Sequence, residues 1–149
     1  MILPCTSTAQ DGWLSLRQAL WPDCPEAEHL AEMHSFLLDP DRYAQFVAYD
    51  EDGQPAGFAE AALRTDYVNG AETSPVAFLE GLYVVPRQRC KGWGRALVGA
   101  VTAWARARGC RELASDALLE NEASHRMHHA LGFEETERVV FFRKELPDV

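Results

Sequence analysis

Apolar and polar positions along the chain divide it into short blocks whose spacing predicts alternating strands and helices. Ile2–Cys5 reads as a short first strand. Trp13, Leu14, Leu16, Leu20 and Trp21 then recur at roughly helical spacing, with Thr8 as a candidate cap. Trp21-Pro22-Asp23-Cys24-Pro25 interrupts that helix, and Pro25 suits the first turn of a second one, Glu26–Leu38. Ala44–Tyr49 and Ala56–Leu63 predict two strands joined by the turn Asp50-Glu51-Asp52-Gly53. Residues 64–75 form a polar connection. The most apolar strand follows, Val76–Val85, closed by Pro86. A helix from about Trp93 to Arg108 carries its apolar face on Leu97, Val98, Val101, Trp104 and Ala105, with Gly109 as its stop. Arg111–Ser115 predicts a short strand, Asn121–Leu131 a helix ended by Gly132, and Phe133–Phe142 a final strand. The order β-αα-βββ-α-β-α-β mixes strands and helices without strict alternation, so an α+β sheet with helices on both faces is expected.

No repeat or linker splits these elements, and 149 residues is one domain's length, so residues 1–149 read as a single domain. Charge narrows the choice of partners. Fourteen Lys and Arg against 23 Asp and Glu give a net charge of −9. Such a chain is a poor ligand for nucleic acid or anionic membrane. The acidity suits a cationic partner or serves solubility. Cys5, Cys24, Cys90 and Cys110 contain no C-x-x-C pair and follow neither a zinc nor a disulfide pattern, so free thiols in a reducing cytoplasm are expected. His125 and His129 stand four apart without the Glu of an H-E-x-x-H helix, so no metal site is expected. No basic, apolar leader and no run of ~20 apolar residues is present, so neither a signal peptide nor a membrane span is expected.

Against this acidic background Arg87, Arg89, Lys91 and Arg95 crowd one turn, Arg87-Gln88-Arg89-Cys90-Lys91-Gly92-Trp93-Gly94-Arg95, between an apolar strand and a helix start. Glycines that admit close approach, outward helix N–H groups and local positive charge make an anion site; a solvated turn is the alternative. Neither a P-loop nor a G-x-G-x-x-G pattern is present. Arg89-Cys90-Lys91-Gly92-Trp93-Gly94 does fit Arg/Gln-x-x-Gly-x-Gly/Ala, and in this the chain resembles the GCN5-related N-acetyltransferases (GNAT). The element order agrees over essentially the whole chain. A second landmark is Asn121 opening the next-to-last helix and Gly132-Phe133 closing it. The sequence departs from the family at His128, where many members have the tyrosine that protonates the leaving thiolate.

Within that family the chain is similar to the aminoglycoside 6′-N-acetyltransferases, through Leu20-Trp21-Pro22, Asp66-Tyr67-Val68-Asn69-Gly70, Phe78-Leu79-Glu80-Gly81, Ala114-Ser115-Asp116 and Leu131–Val139. The resemblance implies acetyl transfer from acetyl-CoA to an aminoglycoside amine by direct attack in a ternary complex. It implies that Leu82, Tyr83 and Val84 hold the pantetheine arm, that residues Arg89, Cys90, Lys91, Gly92, Trp93, Gly94 and Arg95 hold the pyrophosphate, and that Asn121 contacts the cofactor. Glu80 is the expected base and Asp116 a second candidate or orienting partner. A polycationic sugar needs spaced carboxylates and flat faces; Trp21, Tyr67, Glu80, Asp116 and Glu137 are the expected acceptor contacts. Glu80 interrupts an apolar strand, where an idle buried charge is costly. Glu135 and Glu137 share a face if Phe133–Phe142 is a strand, and a solvated strand face explains them equally. The family also implies a homodimer joined through late strands, here Val139–Phe142. Another acceptor amine and a non-catalytic acyl-CoA-binding domain are the competing readings.

Overall fold

The computed structural model describes residues 1–148, in two compact units, Met1–Asp116 and a second from Ala117 onward. In the first unit five strands form one sheet in chain order: β1 (Ile2–Pro4), β2 (Tyr43–Tyr49), β3 (Pro55–Arg64), β4 (Val76–Val84) and β5 (Leu113–Ala114). β1 to β4 pair antiparallel, while β5 joins β4 in parallel. Helices α1 (Trp13–Leu20) and α2 (Glu26–Leu37) lie between β1 and β2 in sequence, and α3 (Trp93–Ala107) between β4 and β5.

Alternation along β3 sends neighbouring residues to opposite helix layers. Phe58 meets the edge of the Trp21 ring, with centroids 5.9 Å apart, on the α1–α2 side. The adjacent Gly57 lies against Leu97 of α3. A core of Cys5, Trp13, Leu16, Met33, Val47, Tyr49 and Phe58 fills the first side. Leu97, Val98, Val101 and Ala105 are the buried stripe of α3, as its apolar spacing predicts.

α1 begins at Trp13 and not near Thr8. Its N-cap is Gly12, at φ 83°, where a Cβ would lie 2.4 Å from the Pro55 side chain. That close approach to β3 fixes the helix start, and a side chain at this position would both strain the backbone and clash. β5 covers two residues where five were expected, because only Ala77↔Leu113 and Phe78↔Ala114 pair.

The second unit contains α4 (Glu122–Ala130), capped by the Asn121 side chain accepting from the Ser124 N–H. The expected final strand, Phe133–Phe142, does not form. These residues carry no ladder hydrogen bonds, and Val140, Phe141 and Phe142 are 77%, 84% and 93% exposed. A β-branched and aromatic run has strand propensity, but a strand exists only with a neighbour to bond. Among the described residues no helix is long and apolar enough to cross a membrane.

Candidate active site

An open cavity of about 750 Å³ lies where α1, α2 and the central strands meet. Its walls include Trp21 and Asp23 from the chain after α1, Glu28 and Glu32 from α2, and Glu80 from β4. The cavity is therefore rich in carboxylates, with the Trp21 indole among its walls.

Glu80 owes its place to a break in the sheet register. Glu60 pairs with Gly81 and Ala61 pairs with Leu79, so Glu80 is an extra residue skipped by the ladder. A bulge of this kind re-aims a side chain out of the pleat. Glu80 is the one exposed residue in β4, which corrects the expectation of a buried charge in that strand. Its Oε1 accepts from Arg64 Nη2 at 2.8 Å, and the Arg64 guanidinium lies 3.8 Å from the centre of the Phe78 ring.

The buried carboxylate on this wall is Glu60, 3% exposed. It accepts from Trp13 Nε1 at 2.8 Å and from Arg17 Nη1, with Oε2 at 2.6 Å. Arg17, 2% exposed, also donates through Nη2 to Glu32 and through Nε to His29 Nδ1 at 3.1 Å. Burial pushes the Glu60 carboxyl above the usual carboxylate range, while the Arg17 guanidinium and the Trp13 indole N–H pull it back. Arg17, His29, Glu32 and Glu60 belong to no motif in the sequence. A signal existed for Glu60, the one charge between Ala56 and Leu63, by the same logic that singled out Glu80.

The other half of the region is the edge of β4 and the turn after it. Pairing with β5 ends at Phe78, so beyond it no strand runs beside this edge among the described residues. The Val85 N–H donates to the Ala56 carbonyl at 2.9 Å. By alternation the Tyr83 N–H also faces β3, whereas those of Leu82 and Val84 face the open edge. Arg89 Nε donates to the Val84 carbonyl at 2.8 Å, and its guanidinium stacks 5.5 Å from the Tyr83 ring centre. Cys90 follows at φ 63° and Gly92 at φ 91°. Gly92 is the N-cap of α3 and supplies no capping side chain. A Cβ on Gly92 or Gly94 would meet nothing within 4 Å, so there is open space over the helix start. The first N–H groups of a helix lack partners within it and carry positive potential, which suits a phosphate.

The remaining sequence candidates are dispersed. Tyr67, 79% exposed, borders a separate hollow of about 430 Å³ formed by residues 65–74. Its connection is strapped by Glu112, whose carboxylate accepts from the Glu72 N–H at 2.9 Å, the Thr73 N–H at 2.6 Å and the Thr73 hydroxyl. Asp116 is exposed just past β5 and lines neither hollow. Asn121 and Glu137 belong to the second unit, where Asn121 caps α4 and Glu137 is exposed. His128 donates through Nδ1 to the Ser124 carbonyl at 2.7 Å and meets Phe133 edge-on. All four cysteines are free, with Cys5 and Cys110 buried. Among the described residues no His, Cys, Asp and Glu group is arranged to hold a metal ion.

In sequence and fold the chain is similar to known acetyltransferases. The sequence pattern of the acetyltransferase (GNAT) family matches residues 13–133. An aminoglycoside N(6′)-acetyltransferase type 1 of Serratia marcescens is 53% identical over 146 residues, covering 98% of this chain and 99% of its own. A solved structure of AAC(6′)-Iy in complex with the bisubstrate analog CoA-S-monomethyl-acetylneamine superposes with a TM-score of 0.92 at 46% identity, over 98% of each chain. The 6′-N-acetyltransferase AAC(6′)-Ih from Acinetobacter baumannii gives a TM-score of 0.91 at 47% identity, over 99% of each.

Proposed function

The chain belongs to the GNAT acetyltransferase family, and from that premise we propose that it transfers the acetyl group of acetyl-CoA to the 6′-amino group of aminoglycosides. The observation that carries this reading is the acidic cavity beside the Glu80 bulge, adjoining the unpaired edge of β4. An aminoglycoside presents ammonium groups on a rigid sugar frame, and Asp23, Glu28, Glu32 and Glu80 offer carboxylates to them. One close ammonium–carboxylate pair near a surface is worth about 4 kcal/mol of gross Coulomb energy before desolvation is subtracted.

Acetyl-CoA fits the second half of the region. In our reading the glycine turn and the start of α3 hold its pyrophosphate, with Arg89, Lys91 and Arg95 supplying charge. The Leu82 and Val84 N–H groups on the open edge bind the extended arm, and a donor among them polarises the thioester carbonyl. Tyr83 contributes its ring under Arg89 rather than its amide. The contacts of Cys90, Trp93 and Asn121 rest on the resemblance alone.

The attacking amine must be neutral. Glu80 takes its proton, through one water where the carboxylate does not reach the nitrogen directly. Arg64 holds Glu80 in place until the acceptor arrives. Asp116, Tyr67 and Glu137 remain proposed acceptor contacts. With direct attack no cysteine nucleophile is needed, in keeping with the burial that raises the Cys5 and Cys110 thiols. We place the reaction in the cytoplasm, where acyl-CoA is available and free thiols stay reduced. The net charge of −9 opposes binding to nucleic acid. The exposed run Val139–Phe142 supports a homodimer in which this segment gains a strand partner; sedimentation equilibrium showing only monomer would remove that part.

The deciding experiment is acetyl transfer to kanamycin or tobramycin, with the acetylated nitrogen located by NMR. Turnover at the 6′-amine is expected. Turnover confined to peptide or small metabolic amines would transfer the cavity to another acceptor, and no turnover with any amine would leave an acyl-CoA-binding domain.

A further inference from the structure

Trp21 lies just past α1 and lines the cavity, yet it is held from four directions. Its ring meets Phe58 edge-on and stacks 5.0 Å from the Arg17 guanidinium. Its six-membered ring lies against Gly81: a Cβ there would lie 2.6 Å from Trp21 Cη2 and 2.9 Å from Cζ2. Gly81 follows Glu80 directly, so the missing side chain lets the indole lie against β4 beside the bulge. The fourth hold is on the backbone, from His29 Nε2, 3.2 Å from the Trp21 carbonyl.

The tautomer of His29 follows from its partners. Arg17 Nε always carries its hydrogen and lies 3.1 Å from His29 Nδ1, so Nδ1 accepts. The ring proton then sits on Nε2 and donates to the Trp21 carbonyl. His29 is fully buried, and Arg17 is pinned in turn by Glu60 of β3. A chain of bonds thus runs from the sheet through Glu60, Arg17 and His29 to the main chain at Trp21.

We propose that His29 is a positioning residue for the acceptor: its bond to the Trp21 carbonyl fixes the indole as the cavity wall beside Glu80. The proposal rests on reading the cavity as the acceptor site. A sugar packed on a fixed indole presents its amine to Glu80 without first ordering that wall, and ordering costs fall on binding. His29 borders the cavity but is fully buried, so it acts on the acceptor through Trp21.

Two substitutions separate this role from a structural one. His29→Asn sets a carboxamide oxygen near the Nδ1 position, keeping the Arg17 bond and losing the Trp21 bond. His29→Gln sets an amide N–H near the Nε2 position, keeping the Trp21 bond and losing the acceptor for Arg17. Steady-state kinetics with kanamycin at saturating acetyl-CoA should show KM for kanamycin about tenfold higher in His29→Asn, the scale of one hydrogen bond, with KM for acetyl-CoA unchanged. His29→Gln should keep a near-normal KM although it loses more stability. Gly81→Ala, which pushes the indole off β4, should raise KM for kanamycin likewise. Equal kanamycin KM in wild type and folded His29→Asn overturns the proposal, as does a KM that tracks stability across the His29 pair. If His29→Asn does not fold, an unchanged KM in Gly81→Ala overturns it.

A ligand-free measurement keeps the inference distinct from the acceptor reading. In protein labelled with 5-fluorotryptophan, the Trp21 fluorine line, assigned with Trp21→Phe, should be single and sharp in wild type and broadened or split in His29→Asn. Wild-type protein that does not acetylate kanamycin would sink the acceptor reading alone. A sharp, unshifted Trp21 line in His29→Asn would sink the positioning of Trp21 by His29 whatever the substrate.

Discussion

Replacing Arg17 by methionine removes one half of a buried ion pair and leaves the other half in place. Arg17 is 2% and Glu60 3% exposed, so neither charge is screened by solvent. After the substitution Glu60 keeps the Trp13 indole N–H as a hydrogen-bond partner and loses its counter-ion. Breaking such a pair from one side costs about 3–5 kcal/mol, because the surviving charge stays in a low dielectric. In a domain of this length each kcal/mol lowers Tm by about 2–4 °C, so Tm should fall by roughly 6–20 °C. The cost also depends on pH. Burial already raises the Glu60 carboxyl above its ordinary range, and Arg17 is the main group opposing that rise. Without Arg17 the carboxyl climbs further. A carboxyl that binds its proton more tightly when folded favours folding below its unfolded pKa of ~4.3, and that advantage is lost as pH rises toward the folded value. The deficit of Arg17→Met against wild type should therefore be smallest at acid pH and grow toward neutrality. Urea denaturation followed by tryptophan fluorescence across this range measures it. Arg17→Met/Glu60→Gln removes the stranded charge, keeps an acceptor for Trp13 and should recover at least half of the loss. A single-variant deficit below about 1 kcal/mol, a deficit independent of pH, or a double variant no better than the single would refute the reasoning.

Glu80→Gln should fold normally, bind acetyl-CoA as wild type does and lose at least ~10²-fold in kcat/KM for kanamycin, the lower end for general acid–base catalysis; a fully active variant would transfer the role to Asp116. Gly92→Asp puts a carboxylate over the start of α3 at a φ of 91° and should weaken acetyl-CoA binding at least ~10-fold by repulsion and strain, as titration calorimetry reads directly. The Thr73 hydroxyl and neighbouring backbone N–H groups hold the Glu112 carboxyl below its ordinary range, so its strap on residues 72–73 is present above the unfolded pKa and is lost as pH falls through the folded one. Proteolysis of the 65–75 connection should accelerate on acidification, and Glu112→Gln should be equally susceptible at neutral pH. Raising ionic strength at saturating acetyl-CoA should raise KM for kanamycin, because exposed pairs are screened beyond ~8 Å at 0.15 M salt; a flat profile would argue against acceptor recognition by the open carboxylates.

Periodicity and punctuation in the sequence determine β2, β3, β4, α2 and α3 nearly to the residue, because each carries its own signal: alternation, the Asp50–Gly53 turn, Pro25 at a helix start and Gly109 at a helix end. The glycine turn is equally local, since an anion site at a helix start needs only a few consecutive residues. What depends on a partner was not available in this way. Phe133–Phe142 has the composition of a strand and forms none, because pairing is supplied by a neighbour and not by propensity. The α1 start is set by how closely Gly12 approaches Pro55, a contact between segments more than forty residues apart. Glu60 and Glu80 make the same point. Each is a lone charge in an apolar run, and the sequence gives no reason to separate them. One ladder shift turns Glu80 outward into the cavity, while Glu60 faces Arg17 from α1 and is buried with it. Sequence alone determined which residues can carry charge, bend the chain or accept an anion; tertiary structure decided which carboxylate is spent on holding the fold and which is open to a substrate, because burial and pairing belong to the space between elements.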